Sequence, residues 1–150
     1  MKFHEFILDR FFSSVTLFGN PAFYLLILIF LFKINHSSAI KLAIAMLATE
    51  TACAIIKFAY PKQRPIPRPN KKFFERYDAS SFPSIHTARI TTLAFMANSF
   101  YKDSLLFFIS ILLVILVGYS RIFLKHHYFK DVIGGIVFGA IASILLQFIL

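Results

Sequence analysis

Three stretches of this chain, residues 38–58, 103–124 and 130–150, are each apolar over the length of a lipid bilayer. A spanning helix needs ~20 residues at a rise of ~1.5 Å per residue. Two shorter apolar stretches, 21–34 and 87–101, fit a membrane only when packed within a bundle, tilted, or set where the bilayer thins. With 150 residues the chain cannot hide all this surface in a soluble core. Its 58% hydrophobic and 15% charged residues depart from the roughly 45–50% and about 25% of soluble domains. The pattern therefore predicts an all-α, polytopic transmembrane helix bundle forming one domain over 1–150, with about five spans.

Residues 1–18 place Phe3, Phe6, Ile7, Phe11 and Phe12 at near-helical spacing, with Lys2, Glu5, Asp9 and Arg10 elsewhere. That is the signature of an amphipathic helix lying in the membrane interface. Glu5 and Asp9 interrupt the charged start that a signal peptide would need. Ser37 and Ser38 offer an N-cap to the second apolar stretch, Asp103 caps the fourth, and Asp131 suits the opening turn of the fifth. Pro61, Pro65, Pro67 and Pro69 exclude helix between residues 60 and 70. The lone Cys53 excludes a disulfide within the chain.

The few charges are mostly basic, sixteen Lys and Arg against seven Asp and Glu. Between Lys57 and Asp78, seven cations oppose only Glu75 and Asp78, a surplus of five in one loop region. Such a loop attracts anionic headgroups or a phosphorylated substrate. Nucleic acid is the weakest partner, because no module presents interleaved basic and aromatic residues. If all five stretches cross, the loops 59–86 and 122–130 lie on the same face, so the two most basic loops converge.

Three clusters occupy that face. Lys57 is followed seven residues later by Arg64-Pro65; Pro83-Ser84-Ile85-His86 opens the third apolar stretch; Ser120-Arg121 leads through His127 to Asp131. Lys57, Arg64 and Arg121 supply positive charge, and arginine forks match phosphate oxygens. Ser84 and the amides beside it add an anion site at a helix N-terminus. His127 and Asp131 are four apart and share a helical face, so the carboxylate can fix the imidazole tautomer and leave the other ring nitrogen free to attack. His86 can donate a proton to the leaving group. Phosphoester cleavage without a metal or other cofactor needs this set of groups.

The ordered blocks K-x6-R-P, P-S-x-H and S-R-x5-H-x3-D, from Lys57 to Asp131, resemble the type 2 phosphatidic acid phosphatase (PAP2) superfamily. The resemblance implies a membrane lipid phosphatase in which His127 becomes a phosphohistidine and Asp131 orients it. It further implies that Lys57, Arg64, Ser84 and Arg121 bind phosphate, that His86 is the general acid, and that no metal takes part. The substrate it implies is a phosphomonoester or pyrophosphate of a lipid. It also implies a plasma or inner membrane location with the site on the extracytoplasmic side. Lipid orientation rules alone would put the basic loops in the cytoplasm, but several of those charges serve phosphate.

Two departures stand out. Ile85 replaces the usual glycine of the second block, and a β-branched residue resists positive φ and brings bulk near the substrate. It supports the alternative of a degenerate protein that holds anionic lipid without cleaving it. The count of five spans is one fewer than family members commonly have. Among the remaining charges, Lys62, Lys71, Lys72 and Arg76 read as a solvated, headgroup-facing surface. Glu50, inside the second stretch, is expected to pair with Arg89, since an unpaired ion there costs about 2.5–3.5 kcal/mol on insertion scales.

Overall fold

The computed structural model describes residues 3–149. Met1, Lys2 and Leu150, which the sequence reading places at the ends of the first and last segments, lie outside the described residues. The described chain is a bundle of helices: α1 (Phe3–Val15), a 3-10 turn (Thr16–Gly19), α2 (Pro21–Ile34), α3 (His36–Ala59), α4 (Phe73–Ala79), α5 (Ile85–Tyr101), α6 (Ser104–Phe123) and α7 (Phe129–Ile149). Three of them, α3, α6 and α7, are long and apolar enough to cross a membrane singly. The N-terminal region and α2 pass that test together as one unit bent by 49°. The expected interfacial helix and first short span are thus joined through the 3-10 turn with this bend between them.

Helix ends follow the chain's polar punctuation, with one correction. Asn35, rather than Ser37 or Ser38, caps α3, its side chain accepting from the Ser38 amide at 3.0 Å. Asp103 accepts from the Leu106 amide at 2.7 Å and caps α6 as expected. The proline run leaves residues 61–72 without helix, and the short α4 follows it, an element the sequence pattern did not reveal.

Helix α5 is the centre of the bundle, packing against α3, α6, α7 and the 3-10 turn. At 17 residues it is short, but its neighbours bury it on most sides. Its close approach to α7 depends on two glycines four residues apart. A Cβ on Gly135 would collide with the carbonyl of Ser84, and one on Gly139 with that of Ala88. Small residues at this spacing let two backbones touch, which is how helices gain van der Waals contact where lipid removes the hydrophobic driving force.

Arg89, one turn into α5, is held by three bonds. Its Nε and Nη2 reach the two oxygens of Glu50, the latter at 3.0 Å, and its Nη1 donates to the Gly19 carbonyl at 3.2 Å. The expected Glu50–Arg89 pair therefore forms, and it also fastens the N-terminal unit to α3 and α5. Gly19 is needed there, because a Cβ would strike His86.

Candidate active site

The site lies where four helix ends and two loops meet. Helix α3 has Lys57 in its last turn, α5 begins after Ser84, α6 has Arg121 in its last turn, and α7 begins two residues after His127. The loop between α6 and α7 is folded tightly back, the amides of His126 and His127 both donating to the Arg121 carbonyl at 3.0 Å. Lys125 makes this reversal with a left-handed φ of 55°. Asp131 then reaches back to accept from the Tyr128 amide at 2.8 Å, which satisfies an otherwise free donor at the start of α7. The two loops are stitched together by the Ser84 amide donating to the Asp131 carbonyl at 2.9 Å. The convergence expected from alternating spans is the geometry found.

His127 is buried, and its two ring nitrogens face groups of opposite character. Nδ1 lies 2.7 Å from the Ser81 carbonyl, which can only accept, so Nδ1 carries the proton. Nε2 lies 3.2 Å from Nη1 of Arg64, which can only donate, so its lone pair points out among the cations. Burial, then Arg64, Arg121 and Lys57, hold this imidazole well below the ordinary histidine value, and the bond to Ser81 offsets them in part. The ring is therefore neutral at neutral pH.

Asp131 does not make the direct bond expected of it. Its Oδ2 stands 3.9 Å from His127 Nδ1, because its oxygens are taken by the Ser81 hydroxyl, the Tyr128 amide and Lys62, whose Nζ lies at 2.6 Å. Ser81 thus stands between acid and imidazole, carbonyl toward one and hydroxyl toward the other. The sequence reading missed Ser81, and it left Lys62 to the solvated surface. The adjacent serines Ser80-Ser81 before the proline were the only hint. Lys62 also sits 4.8 Å from the ring centre of Tyr128.

The three cationic members of the expected phosphate-binding set, Lys57, Arg64 and Arg121, are all buried. Lys57 Nζ donates to the Ser80 carbonyl at 2.5 Å and lies 5.4 Å from the Tyr77 ring centre. Arg64 donates through Nε to the Asp78 carbonyl at 2.7 Å and through Nη1 to that of His126 at 3.2 Å. Burial and nearby Arg68 lower its pKa to about 10, leaving it charged. Arg121 Nη1 donates to the Thr16 hydroxyl at 2.7 Å, a partner invisible to the motifs because it comes from the far end of the chain. Carbonyls and a hydroxyl orient these cations, and Arg64 also faces the Asp78 carboxylate at 3.5 Å.

Ser84 is fully buried and its hydroxyl lies 3.0 Å from that of Thr87. His86 follows in the first turn of α5. Among the described residues, His86 Nδ1, Arg121 Nε and His126 Nδ1 are buried polar atoms without a hydrogen-bond partner. Buried donors and acceptors are seldom left so, and three around one basic pocket suit an anion. Ile85 causes no obstruction. It has no positive φ, and its side chain is buried with Cys53, Ala88 and Phe138 in the core, leaving its amide in the first turn. Among the described residues no group of three His, Cys, Asp or Glu side chains gathers as a metal site.

A family model described as the PAP2 superfamily matches residues 38–149. The fold is similar to the crystal structure of LpxE from Aquifex aeolicus, with a TM-score of 0.80 and 26% identity over 94% of this chain and 86% of that one. It is also similar to the transmembrane PAP2-type phosphatidylglycerolphosphate phosphatase from Bacillus subtilis, with a TM-score of 0.79 and 20% identity over 95% of this chain and 76% of that one. No curated protein sequence matches the chain.

Proposed function

The chain belongs to the PAP2 superfamily as an integral membrane phosphatase, and on that premise we propose that it hydrolyses a phosphomonoester or diphosphate of a lipid through a phosphohistidine on His127. The observation that carries this reading is the outward lone pair of His127 Nε2, 3.2 Å from Arg64 and fixed by Ser81 behind it.

Lys57, Arg64 and Arg121 hold the non-bridging oxygens of the substrate phosphate, helped by Ser84 and the amides of the first turn of α5. Arg64 moves its hydrogen bond from the ring nitrogen to the phosphate. Nε2 then attacks phosphorus in line, forming the N–P bond as the bond to the lipid oxygen breaks. His86, protonated once the bound phosphate anion offsets the surrounding arginines, gives that oxygen a proton and is left neutral. The imidazolium is stabilised by its Nδ1–H bond to Ser81, which Asp131 holds in place. Water next attacks phosphorus with His86 as base, the N–P bond breaks, and inorganic phosphate leaves. Preorganised positive charge around the equatorial oxygens is the main source of acceleration.

The site opens on the extracytoplasmic side in this reading, and the membrane is the cytoplasmic or inner one; cysteine accessibility at loop positions in intact cells tests this. The chemistry is tested by phosphate release from a panel of phosphatidic acid, phosphatidylglycerol phosphate, undecaprenyl diphosphate and phosphorylated lipid A. Purified wild type should release phosphate in the presence of EDTA, and radiolabel trapped by acid quench should sit on His127. Label on another residue, or activity that EDTA removes and a divalent metal restores, contradicts the mechanism.

A further inference from the structure

Lys62 is placed by both its backbone and its side chain. Its carbonyl accepts from the Ser81 amide at 2.7 Å, and its own amide donates to the Ser80 hydroxyl at 3.4 Å. Its ammonium group donates to Asp131 Oδ1 at 2.6 Å and lies 4.8 Å from the centre of the Tyr128 ring. Ser81 is thereby held from two sides, at its amide by Lys62 and at its hydroxyl by the carboxylate that Lys62 grips. The carbonyl of the same serine accepts from Nδ1 of His127 at 2.7 Å. Further along the same loop, Arg64 lies 3.2 Å from Nε2. One tripeptide, Lys62-Gln63-Arg64, therefore reaches the imidazole at both nitrogens, directly at Nε2 and through Asp131 and Ser81 at Nδ1.

The charges call for this arrangement. Asp131 is fully buried, and a buried carboxylate is costly unless a cation and hydrogen bonds meet it. Among the described residues, Lys62 is the lysine or arginine within ion-pair reach of it. Its side chain is only 29% exposed, because the charged end turns inward. A lysine that merely met headgroups would carry that end out to water. With Oδ1 on Lys62 and Oδ2 on Ser81 and Tyr128, the carboxylate is kept 3.9 Å from Nδ1. Without Lys62, Asp131 would lose its ion pair in a buried place and turn toward another donor, loosening its hold on Ser81.

We propose that Lys62 is a positioning residue for the nucleophile: by holding Asp131 against Ser81 it fixes the carbonyl that orients His127, and it takes no part in gripping phosphate, which binds on the Nε2 side. The proposal deepens the phosphohistidine reading above and rests on it. Lys62 and Arg64, two cations of one loop, thus divide the work. Arg64 faces the attacking nitrogen and the substrate, whereas Lys62 supports the nitrogen that must keep its proton while the ring gains positive charge.

The test is steady-state kinetics in mixed micelles, with whichever of phosphatidic acid, phosphatidylglycerol phosphate and undecaprenyl diphosphate the wild type cleaves fastest. Lys62→Met keeps the stem and removes the charge. Its kcat should fall ~10-fold, while KM and the Ki of inorganic phosphate stay within about twofold of wild type. A headgroup-binding lysine gives the opposite split, a raised KM at unchanged kcat, and that result overturns the proposal. The double variant Lys62→Met/Asp131→Asn separates positioning from a general structural role. If Lys62 acts through Asp131, the double variant should have a kcat no lower than Asp131→Asn alone; losses that multiply overturn the proposal. Lys62→Gln, which retains a donor for the carboxylate, replaces Lys62→Met should the latter fail to fold, and the same split is expected of it. Absence of phosphate release from every lipid by wild type instead overturns the phosphatase reading itself.

Discussion

Nδ1 of His127 donates to the carbonyl of Ser81 at 2.7 Å, while the carboxylate of Asp131 stands 3.9 Å away and grips the Ser81 hydroxyl instead. Asp131 therefore reaches the imidazole only through a backbone peptide whose position it fixes. Where a carboxylate alone sets the tautomer, its amide replacement costs ~10⁴-fold in kcat. Here Asp131→Asn keeps the Ser81 carbonyl in reach, so the loss in kcat should be smaller, ~10–10²-fold. Steady-state kinetics on detergent-purified protein measures it, and a loss as large as that of His127→Ala would show that Ser81 does not hold the ring.

Thr16 is the second test of reach. Its hydroxyl accepts from Arg121 at 2.7 Å, and Thr16→Val removes the acceptor while keeping the volume. A hydrogen bond to a charged group contributes about 1.5–3 kcal/mol, so its loss should lower the unfolding temperature by several degrees. If Arg121 is a phosphate ligand held in place by Thr16, the variant should also show a severalfold rise in KM and in the Ki of inorganic phosphate.

The pH dependence of stability follows from His126 and His127, both lowered. For His126 burial leads, followed by the fields of Arg121, Arg68 and Arg64, and brings it to about 4. For His127 burial again leads. The unfolded chain, with histidines near 6.5, binds more protons than the folded one as pH falls below that value. Stability is then fully present above 6.5 and declines from there toward 4. Thermal unfolding in detergent across this window should show the decline, and His126→Asn should flatten part of it. A midpoint that rises on acidification would contradict the assignment.

Gly135→Ala tests the seam between α5 and α7. The added Cβ meets the Ser84 carbonyl, a backbone atom that cannot rotate away. Overpacking of this kind costs about 1–3 kcal/mol. Because Ser84 opens α5 and its amide is tied to Asp131, the strain should also lower kcat/KM. Parallel melting and activity measurements check both effects; an alanine variant with wild-type values would mean the seam can widen freely.

Much of this architecture was legible in the chain because lipid makes the rules simple. Long apolar stretches could be counted against bilayer thickness, and the spacing from Lys57 to Asp131 grouped the charged residues before any contact was known. The pairing of Glu50 with Arg89 followed from the cost of leaving either alone. What escaped depends on contacts between distant parts of the chain. Thr16 carries no mark of its partnership with Arg121, 105 residues away. Ser81 works partly through its carbonyl, a group every residue possesses. Lys62 looked like any surface lysine until the fold brought it to Asp131. Ile85 stands where the family block usually has glycine, but its environment is decided by the helical turn that directs its side chain into the core with Cys53.

The cations of the pocket are steered chiefly by peptide carbonyls, Lys57 by Ser80 and Arg64 by Asp78 and His126. If these cations are the phosphate ligands, a scaffold of dipoles should accept any tetrahedral oxyanion, the reaction's own product among them. Inorganic phosphate should then inhibit as it accumulates, vanadate or tungstate should compete for the same berth, and turnover should depend on how quickly the surroundings carry phosphate away.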